Sequence, residues 1–324
     1  MKIKVTMRSL PFVEILDSKL EQHGLVSEIV DMERPLPPQI SDAQVLVNGT
    51  SRIDRAIIDA CPDLALVHQA GIGHDNVDVS YCTSKSIYVA NVPLANSTSV
   101  AEHTLFLMVL LAKNLQASDR SVARRRNPRS IGMELLGKTL LIVGLGASGI
   151  EVAKRAKAFG MNVIAVTKDP VSSRPGREKS FFVDDVRGPE SLLELIPQAD
   201  FVSLHVPLNS ETKGIIDSRA LGLMKPSAYL VNVARASVVD RDAIYACLNE
   251  KKIAGAAFDV FWEEPADPTD RLLQLDNFFL TPHVAGWTKE SVEAIASVIA
   301  SNIARLADGK SPLTLVNTEL LSGQ

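Results

Sequence analysis

The stretch "LLIVGLGASGIEVAKRAKAFGMNVIAVTKDP", residues 140–170, decides the fold that this sequence predicts. Its first half predicts a strand, a glycine turn and a helix, and its second half predicts another strand. Gly144, Gly146 and Gly149 give the spacing G-x-G-x-x-G, which permits a tight turn, a close approach of pyrophosphate to the backbone and close packing of helix on strand. Pyrophosphate would lie against the N–H groups at the helix start, so the stretch predicts a dinucleotide-binding unit.

The end of the second strand bears on the choice of cofactor. Such a unit usually places an acidic residue there to hold the adenosine ribose, whereas this chain continues with Thr167, Lys168 and Asp169. A threonine does not repel a 2′-phosphate, and Lys168 supplies a cation, with Arg174 and Arg177 as further candidates that could equally be solvated. We therefore expect NADP(H) rather than NAD(H), and Asp169 is the rival residue that would hold the ribose of NAD(H).

Composition and charge exclude several other classes of protein. The chain has 324 residues, of which 46% are hydrophobic and 22% are charged, and a net charge of -4 gives no basic field for general nucleic-acid binding. The basic cluster at 120–129 is expected to be a solvated loop or helix end, and a contact with an anionic ligand is the less favoured alternative. No apolar run approaches the ~20 residues of a membrane span. Three scattered cysteines fit a reducing cytoplasm, and no C-x-x-C or H-E-x-x-H spacing suggests a metal.

Apolar strands alternate with helical stretches along most of the chain. One series begins at "IKVTM" and a second begins at "TLLIVGLG", which predicts two α/β domains with doubly wound parallel sheets. A long helix is expected over residues 96–125, before the glycine motif, and another over residues 288–309, after the last strand. A first domain that is discontinuous, with the nucleotide domain inserted into it, accounts for this order.

Three further segments carry polar side chains directly after predicted strands. They place Arg235, Glu263 with Glu264, and His283 at strand ends, where ligands bind in an open parallel sheet. A guanidinium can hold a carboxylate and polarise a carbonyl, an imidazole can exchange the proton of a substrate oxygen, and a carboxylate can fix the imidazole tautomer. Taken singly, each is as well explained by a salt bridge, a turn contact or a loop position. Together, behind a dinucleotide motif, they indicate hydride transfer to or from a nicotinamide.

The segments "VAEHTLFLMVLL", "DFVSLHVPLNSETKGII", "LMKPSAYLVNVARAS", "AGAAFDVFWEEP" and "LTPHVAG" resemble the D-isomer-specific 2-hydroxyacid dehydrogenase family. The resemblance implies a Rossmann NAD(P)-binding domain over residues 99–286. It also implies a flavodoxin-like substrate domain built from residues 1–98 and 287–324. The helix after Ser99 is a dimer element in that family, so the resemblance implies a homodimer.

The resemblance also assigns roles to individual residues. The catalytic arginine falls on Arg235, the glutamate that tunes the histidine falls on Glu264 rather than Glu263, and the acid/base histidine falls on His283. The substrate carboxylate would be held by backbone N–H groups at Gly71, Ile72 and Gly73. The implied cofactor contacts, together with the residues at the end of the second strand, are Thr98, Gly144, Leu145, Gly146, Ala147, Ser148, Gly149, Thr167, Lys168, Asp169, His205, Val206, Pro207, Thr212, Val233, Ala234 and Asp259.

Four positions are open on this reading. Ala236 stands where the family usually has glycine, which is acceptable unless the backbone needs a positive φ. His74 stands where a tyrosine is frequent, and it could shape substrate choice or face solvent. Trp287 could line the pocket or pack in the interior. His103, in the long helix, is expected to serve packing.

Glu264 narrows the implied chemistry, because the formate dehydrogenase branch has glutamine in its place. The resemblance therefore implies reduction of a small 2-oxo acid such as hydroxypyruvate or glyoxylate. Phosphoglycerate oxidation is the alternative, less favoured because the chain ends at Gln324 without the regulatory domain of longer phosphoglycerate dehydrogenases. An alternative of a different class is a nucleotide-sensing binding protein, like the transcriptional corepressors that share the fold.

Overall fold

The structure is a computed structural model that describes residues 1–7, 9–116, 131–170 and 181–321. The basic cluster at 120–129 and the candidate cations Arg174 and Arg177 lie outside the described residues, as does the part of the predicted helix after residue 116. Within the described residues the helix is shorter than predicted: it ends at Ala112, before Asn114, which has a φ of 50°. Contacts divide the chain into two units. Unit 1 comprises Met1–Asn96 and Trp287–Gln324, and unit 2 comprises Ser97–Gly286.

The described strands and helices are numbered in chain order. The strands are β1 Ile3–Thr6, β2 Ser27–Ile29, β3 Val45–Asn48, β4 Leu66–Gln69, β5 Tyr88–Ala90, β6 Thr139–Val143, β7 Asn162–Val166, β8 Asp185–Arg187, β9 Phe201–Leu204, β10 Tyr229–Asn232, β11 Gly255–Phe258 and β12 Phe278–Leu280. The α-helices are α1 Leu10–Glu21, α2 Pro37–Ile40, α3 Arg55–Asp59, α4 Val79–Ser84, α5 Ser97–Ala112, α6 Ala147–Ala158, α7 Leu192–Leu195, α8 Ser218–Gly222, α9 Arg241–Asn249 and α10 Lys289–Ala307. Short 3-10 turns occupy Pro189–Ser191, Ile196–Gln198, Ala236–Val238 and Thr318–Leu321.

Unit 1 is built on a five-stranded parallel sheet with the order β2-β1-β3-β4-β5. This is the order of a flavodoxin-like sheet. Its core joins α1 to α10, since Phe12 and Leu16 are buried in one cluster with Ile295 and Ile299. Helix α10 begins with a capping box in which the Thr288 side chain accepts from the backbone N–H of Ser291, so its start is set locally.

Unit 2 is built on a seven-stranded parallel sheet with the order β12-β11-β10-β9-β6-β7-β8. Counted from β6, this is the 3-2-1-4-5-6 order of a dinucleotide-binding fold with one strand added at the β12 edge. Both faces are covered, because the inner strands β6, β7, β9, β10 and β11 are largely buried within two hydrophobic clusters. The predicted α/β class with two doubly wound parallel sheets is confirmed. Helix α5 begins at Ser97 and is buried along most of its length.

None of the helices in the described ranges combines the length and the apolar composition needed to cross a membrane.

Candidate active site

Three neighbouring strands of unit 2 end beside one another and present the predicted catalytic residues. Strands β10, β11 and β12 are parallel and adjacent, so their carboxyl ends lie at the same edge of the sheet. Arg235 follows β10, Glu264 lies on the segment after β11, and His283 follows β12. The three side chains that the sequence places far apart are therefore gathered at the edge where open parallel sheets bind ligands.

Arg235 is positioned by a buried amide at the end of β10. The side chain of Asn232 donates from Nδ2 to the carbonyl oxygen of Arg235 at 3.0 Å and accepts at Oδ1 from the N–H of Ala234 at 3.0 Å. Asn232 is fully buried, so this turn is fixed from inside the sheet. The guanidinium donates from Nη1 to the carbonyl oxygen of Ala234 at 2.9 Å. The turn thereby presents a cation whose position is set by the strand behind it.

Glu264 and His283 form a direct pair. Oε2 of Glu264 lies 2.8 Å from Nδ1 of His283, and Oε1 accepts from the N–H of Phe261 at 2.9 Å. Burial raises the pKa of Glu264, but the hydrogen bond and charge of His283, with smaller effects from Phe261 and Arg235, bring that pKa below its ordinary value. An ionised Glu264 makes Nδ1 the donor, which leaves Nε2 of His283 as the nitrogen that can exchange a proton.

The segment that carries His283 is anchored to a buried carboxylate. Asp259, directly after β11, accepts from the N–H of Val284 at 2.9 Å, from the N–H of Ala285 at 2.8 Å and from Oγ1 of Thr281 at 2.5 Å. Asp259 is 1% exposed. Asp259 is predicted as a cofactor contact, and the structure additionally shows it holding the backbone after His283 and the Thr281 side chain before it.

The glycine motif has the geometry that a pyrophosphate requires. Gly144 has a φ of +102°, and a Cβ there would come within 2.6 Å of the His205 carbonyl oxygen. A Cβ on Gly149 would lie 2.2 Å from the carbonyl oxygen of Gly144, so helix and turn touch at that point. Gly146 caps the start of α6, and a Cβ there would meet no heavy atom within 4 Å. Open space in front of a helix N-terminus fits a dinucleotide phosphate.

The end of β7 holds the three candidate ribose residues. The backbone N–H of Thr167 donates to the carbonyl oxygen of Arg187 at 2.9 Å, so the strand pairing continues past β7. Nζ of Lys168 lies 2.9 Å from Oε2 of Glu211, and both side chains are exposed. Asp169 is also exposed. Lys168, the cation that would favour a 2′-phosphate, is thus paired with the carboxylate of Glu211 in the loop after β9.

His205 lies behind the glycine turn. Its Nε2 is 2.8 Å from Oγ of Ser203 on β9, and its Nδ1 is 3.3 Å from Oγ of Ser148 on α6. Burial lowers the pKa of His205 to about 4, so the ring is neutral at pH 7. The imidazole links β9 to the first turn of α6. Its side chain therefore supports the turn, whatever contact its backbone makes with a cofactor.

The remaining predicted cofactor residues lie around the same edge of unit 2. Oγ1 of Thr212 donates to the carbonyl oxygen of Pro207 at 2.6 Å and closes the turn after β9. Leu145 is buried in the core beneath the glycine turn, whereas Thr98 is exposed on the first turn of α5. The others, all partly buried, are Ala147 on α6, Val206 after β9, and Val233 and Ala234 after β10.

The predicted substrate loop lies in unit 1, after β4. The carbonyl oxygens of Gly71, Ile72 and Gly73 accept hydrogen bonds from the N–H of Val92 at 3.0 Å, Nδ2 of Asn91 at 2.8 Å and Nε2 of Gln69 at 3.0 Å, respectively. In a trans peptide the N–H points opposite to the carbonyl. Binding the carbonyls inward therefore turns the N–H groups that follow them outward, as a carboxylate ligand would need.

Two of the open positions have structural answers. Ala236 begins a 3-10 turn and does not have a positive φ, so its Cβ causes no backbone strain there. The ring of Trp287 packs edge-on against that of Phe12 within unit 1, with centroids 5.9 Å apart, which gives it a packing role. The ring nitrogen Nδ1 of His74 is buried without a partner among the described residues.

Asn232 and Thr281 contribute to the site and do not appear in the sequence prediction. Both are polar residues that end or directly follow an apolar strand, in "YLVN" and "FFLT". That pattern is a usable signal, because a polar side chain next to a buried strand end needs a partner. Glu211 has no comparable signal, since an exposed acidic loop residue is ordinary.

Comparison with protein families gives a match over residues 105–285. The matching family is the D-isomer specific 2-hydroxyacid dehydrogenase, NAD binding domain.

Individual relatives carry two activities in their names. D-3-phosphoglycerate dehydrogenase of Methanocaldococcus jannaschii is 41% identical over 306 residues, which are 92% of this chain and 56% of that protein. The chain thus spans little more than half the length of this relative. Glyoxylate reductase of Korarchaeum cryptofilum is 36% identical over 315 residues, which are 94% of this chain and 93% of that protein.

A solved structure with the same architecture is the NADPH-dependent glyoxylate/hydroxypyruvate reductase of Sinorhizobium meliloti in complex with NADP and malonate. It superimposes with a TM-score of 0.81 at 28% identity, and the match covers 98% of this chain and 96% of that one.

Proposed function

Because the chain belongs to the D-isomer-specific 2-hydroxyacid dehydrogenase family, we propose that it transfers hydride between a nicotinamide cofactor and a small 2-oxo acid or D-2-hydroxy acid. Hydroxypyruvate and glyoxylate are the proposed substrates. The observation that carries the proposal is the contact of 2.8 Å between Nδ1 of His283 and Oε2 of Glu264, at the strand ends beside Arg235. Such a pair can hold and release a proton at one defined nitrogen.

A bound nicotinamide would supply or accept the hydride. In the direction of reduction, Arg235 binds the substrate carboxylate and polarises the adjacent carbonyl. His283 donates its Nε2 proton to the carbonyl oxygen as the carbon is reduced, and it keeps the Nδ1 proton directed at Glu264. Glu264 remains ionised throughout and favours the protonated imidazole before transfer. The reverse sequence oxidises the hydroxy acid.

A steady-state panel tests the proposal. The purified protein is mixed with NADPH or NADH and with hydroxypyruvate, glyoxylate, pyruvate or 3-phosphohydroxypyruvate, and oxidation of the reduced cofactor is recorded. We expect turnover with hydroxypyruvate or glyoxylate. Tight cofactor binding, seen as nicotinamide fluorescence, without oxidation by any 2-oxo acid would instead support a nucleotide-sensing binding protein.

Phosphoglycerate oxidation is the second candidate, and the identity of 41% to a D-3-phosphoglycerate dehydrogenase favours it. The set of Arg235, Glu264 and His283 would serve either reaction, because each interconverts a 2-oxo acid and a 2-hydroxy acid. The same panel separates them. A kcat/KM for 3-phosphohydroxypyruvate far above that for hydroxypyruvate would assign the chain to the phosphorylated substrate.

We propose NADP(H) as the preferred cofactor. Thr167 lacks the carboxylate that would repel a 2′-phosphate, and Lys168 lies beside it. The pairing of Lys168 with Glu211 means that a phosphate must compete for this cation. Lys168→Met should therefore weaken NADPH binding more than NADH binding, and Glu211→Gln should strengthen NADPH binding.

Dissociation constants measured by nicotinamide fluorescence would test this preference. The control is Asp169→Asn. If the protein prefers NADH and only the Asp169 variant loses that preference, the ribose belongs to Asp169 and the proposed NADP(H) preference is wrong.

We propose a homodimer that forms through α5. An apolar groove on α5 and the end of α6 is lined by Glu102, Leu105, Phe106, Val109, Arg155 and Phe159. Phe106 and Phe159 are 49% and 48% exposed, and exposed apolar patches of this kind mark interaction sites. Glu102 and Arg155 carry opposite charges and pair at 3.2 Å, so the face can complement a second copy of itself.

A further inference from the structure

Helix α5 contacts the His283 segment through His103, a residue that the sequence analysis assigns to packing. We propose that His103 and Thr281 are positioning residues that act through Asp259 to hold the backbone of His283 in place for proton transfer. The inference rests on the proposed function, because it assigns these residues to the step in which His283 exchanges a proton.

The centre of the arrangement is the Asp259 carboxylate. Its Oδ1 accepts from Oγ1 of Thr281 and from the N–H of Val284, and its Oδ2 accepts from the N–H of Ala285. These donors lie on both sides of His283 in the chain. The buried carboxylate of Asp259 thus holds the segment before and after His283. The contacts therefore fix the position of the His283 backbone, from which the imidazole projects.

His103 completes the arrangement from the other side. Its Nε2 lies 3.0 Å from Oγ1 of Thr281 and 3.5 Å from Oδ1 of Asp259. The Thr281 hydroxyl has one hydrogen, which the short contact of 2.5 Å directs to the carboxylate. His103 must therefore donate its Nε2 proton to the threonine oxygen, which fixes its tautomer and the rotation of the hydroxyl.

The backbone at His283 shows what this anchoring opposes. His283 has a φ of 55°, in the left-handed region that residues other than glycine rarely adopt. Such a conformation is strained, and it persists only where surrounding contacts determine it. The two N–H groups that Asp259 holds come directly after His283, so they restrain the residue that is strained.

A packing role alone does not account for the polar side chains. His103 lies on a helix whose neighbours in the sequence, Ala101, Leu105 and Leu107, are buried in an apolar cluster. An apolar residue would fill that space without the cost of burying an imidazole, and burial lowers the pKa of His103. The polar contact with Thr281 is what an apolar residue could not supply.

Thr281→Val is the sharpest test, because it keeps the shape and removes the hydroxyl. We expect kcat to fall about ten- to hundred-fold, as small misplacements of a catalytic group do, with the cofactor dissociation constant within two-fold of the wild type. Thr281→Ser should retain kcat. His103→Leu should act like Thr281→Val, and His103→Gln, whose amide can donate at a similar position, should recover activity.

Thr104→Val is the matched control. Its hydroxyl is also buried and donates to the carbonyl oxygen of Val100 at 2.7 Å, within α5 itself. It should keep the wild-type kcat. Thermal midpoints of all variants separate loss of folding from loss of positioning, and Thr281→Ser reports on the hydroxyl if Thr281→Val fails to fold.

Two further measurements decide the mechanism. In a His283→Ala background, Thr281→Val should cause no additional loss of kcat, because its effect passes through the absent imidazole. Amide hydrogen exchange at Val284 and Ala285 should accelerate at least ten-fold in Thr281→Val, and this readout needs no substrate. If no 2-oxo acid is turned over, the proposed function fails while the exchange result still tests the anchoring.

The inference is overturned by additive loss in the His283→Ala background, by unchanged exchange at Val284 and Ala285, or by full activity of His103→Leu. A loss of cofactor affinity with kcat unchanged would equally overturn it, since it would make Asp259 and its partners a cofactor contact.

Discussion

At the scale of single residues, the site depends on which of the two adjacent glutamates, Glu263 or Glu264, contacts His283. Glu264 is bonded through both oxygens, to the N–H of Phe261 and to His283, whereas Glu263, equally exposed, makes neither of these contacts. The pKa of Glu264 is lowered, so the charge of this carboxylate is present at neutral pH and is lost only as the pH falls through that lowered value. Glu264 therefore remains ionised across the pH range in which an imidazole titrates.

Glu264→Gln should lower kcat by about 10–100-fold, because the amide cannot favour a protonated imidazole. In the direction of reduction, where His283 must be protonated, the alkaline limb of the kcat/KM profile should also move to lower pH, since the negative charge beside His283 is gone. Glu263→Gln is the matched control and should leave both unchanged. A pH profile of Glu264→Gln that overlays the wild type would separate this carboxylate from the proton transfer.

The site residues that could be predicted from the sequence are those that follow a strand. Arg235, Glu264 and His283 follow apolar strands, and that spacing alone places them at one edge of a parallel sheet. Asn232 bonds to the backbone of the loop after β10, and Thr281 donates to the side chain of Asp259; such bonds depend on coordinates that no spacing encodes. The tautomer of His103 follows from its contact with the hydroxyl of Thr281, which lies far from it in the sequence.

At the scale of elements, the glycine turn between β6 and α6 is a closely packed junction. Helix and turn meet where Gly149 faces the carbonyl oxygen of Gly144, with no room for a Cβ. Strand and helix types here were predictable because apolar periodicity and glycine spacing act over a few residues. The short helices α7 and α8 were not predicted, since one or two turns leave too little periodicity to detect.

Gly149→Ala should weaken cofactor binding at least ten-fold, because its Cβ would lie 2.2 Å from the Gly144 carbonyl oxygen and the turn must shift. Gly222→Ala is the control, as a Cβ there meets nothing within 4 Å and α8 gains a better helix former. Fluorescence titration with NADPH measures both. Wild-type affinity in Gly149→Ala would show that the close packing at this turn is not required for binding.

Strand β4 and helix α10 are joined by a buried imidazole. His68 donates from Nδ1 to the carbonyl oxygen of Gln69 at 3.0 Å, and its Nε2 accepts from Nδ2 of Asn302 at 3.0 Å. Burial lowers the pKa of His68 from 6.5 to about 4. The unfolded chain therefore binds a proton more readily than the folded one between these values, and stability is lost as the pH falls through that interval.

Between pH 7 and pH 5, His68 should account for about 2 kcal/mol of lost unfolding free energy. His68→Gln, which keeps polar contacts without titrating, should reduce the fall in stability over that interval. Urea unfolding at the two pH values measures the difference, with the exposed His23→Gln as control. An equal fall in the wild type and in His68→Gln would show that the buried imidazole is not the source.

At the scale of the whole molecule, the two strand orders confirm the α/β class, but periodicity could not supply them. Strand order depends on crossovers between distant segments, which local patterns do not encode. The expectation of a flavodoxin-like and a Rossmann domain came instead from the family resemblance, in which Gly144, Arg235 and His283 follow one another in the same order as in the family. The proposed assembly of two copies could not be derived from local pattern, because an apolar helix face is equally consistent with a buried core.

Phe106→Glu should convert a homodimer into monomers, because it places a charge in the apolar groove between α5 and α6. Sedimentation velocity at micromolar protein measures the change. Leu10→Glu is the control, since Leu10 is exposed on unit 1, outside the proposed interface. A wild-type protein that sediments as a monomer, or a dimer that survives Phe106→Glu, would exclude this interface.

The interruption of unit 1 by unit 2 sets an order of events during synthesis at the ribosome. All five strands of the unit 1 sheet precede Ser97, but α10, which packs against α1, follows Gly286. The ribosome must translate all of unit 2 before α10 exists, a delay of roughly 10–40 s at ~5–20 residues per second. During that time Phe12 and Leu16 on α1 lack the part of their apolar cover that Ile295 and Ile299 of α10 supply in the folded protein.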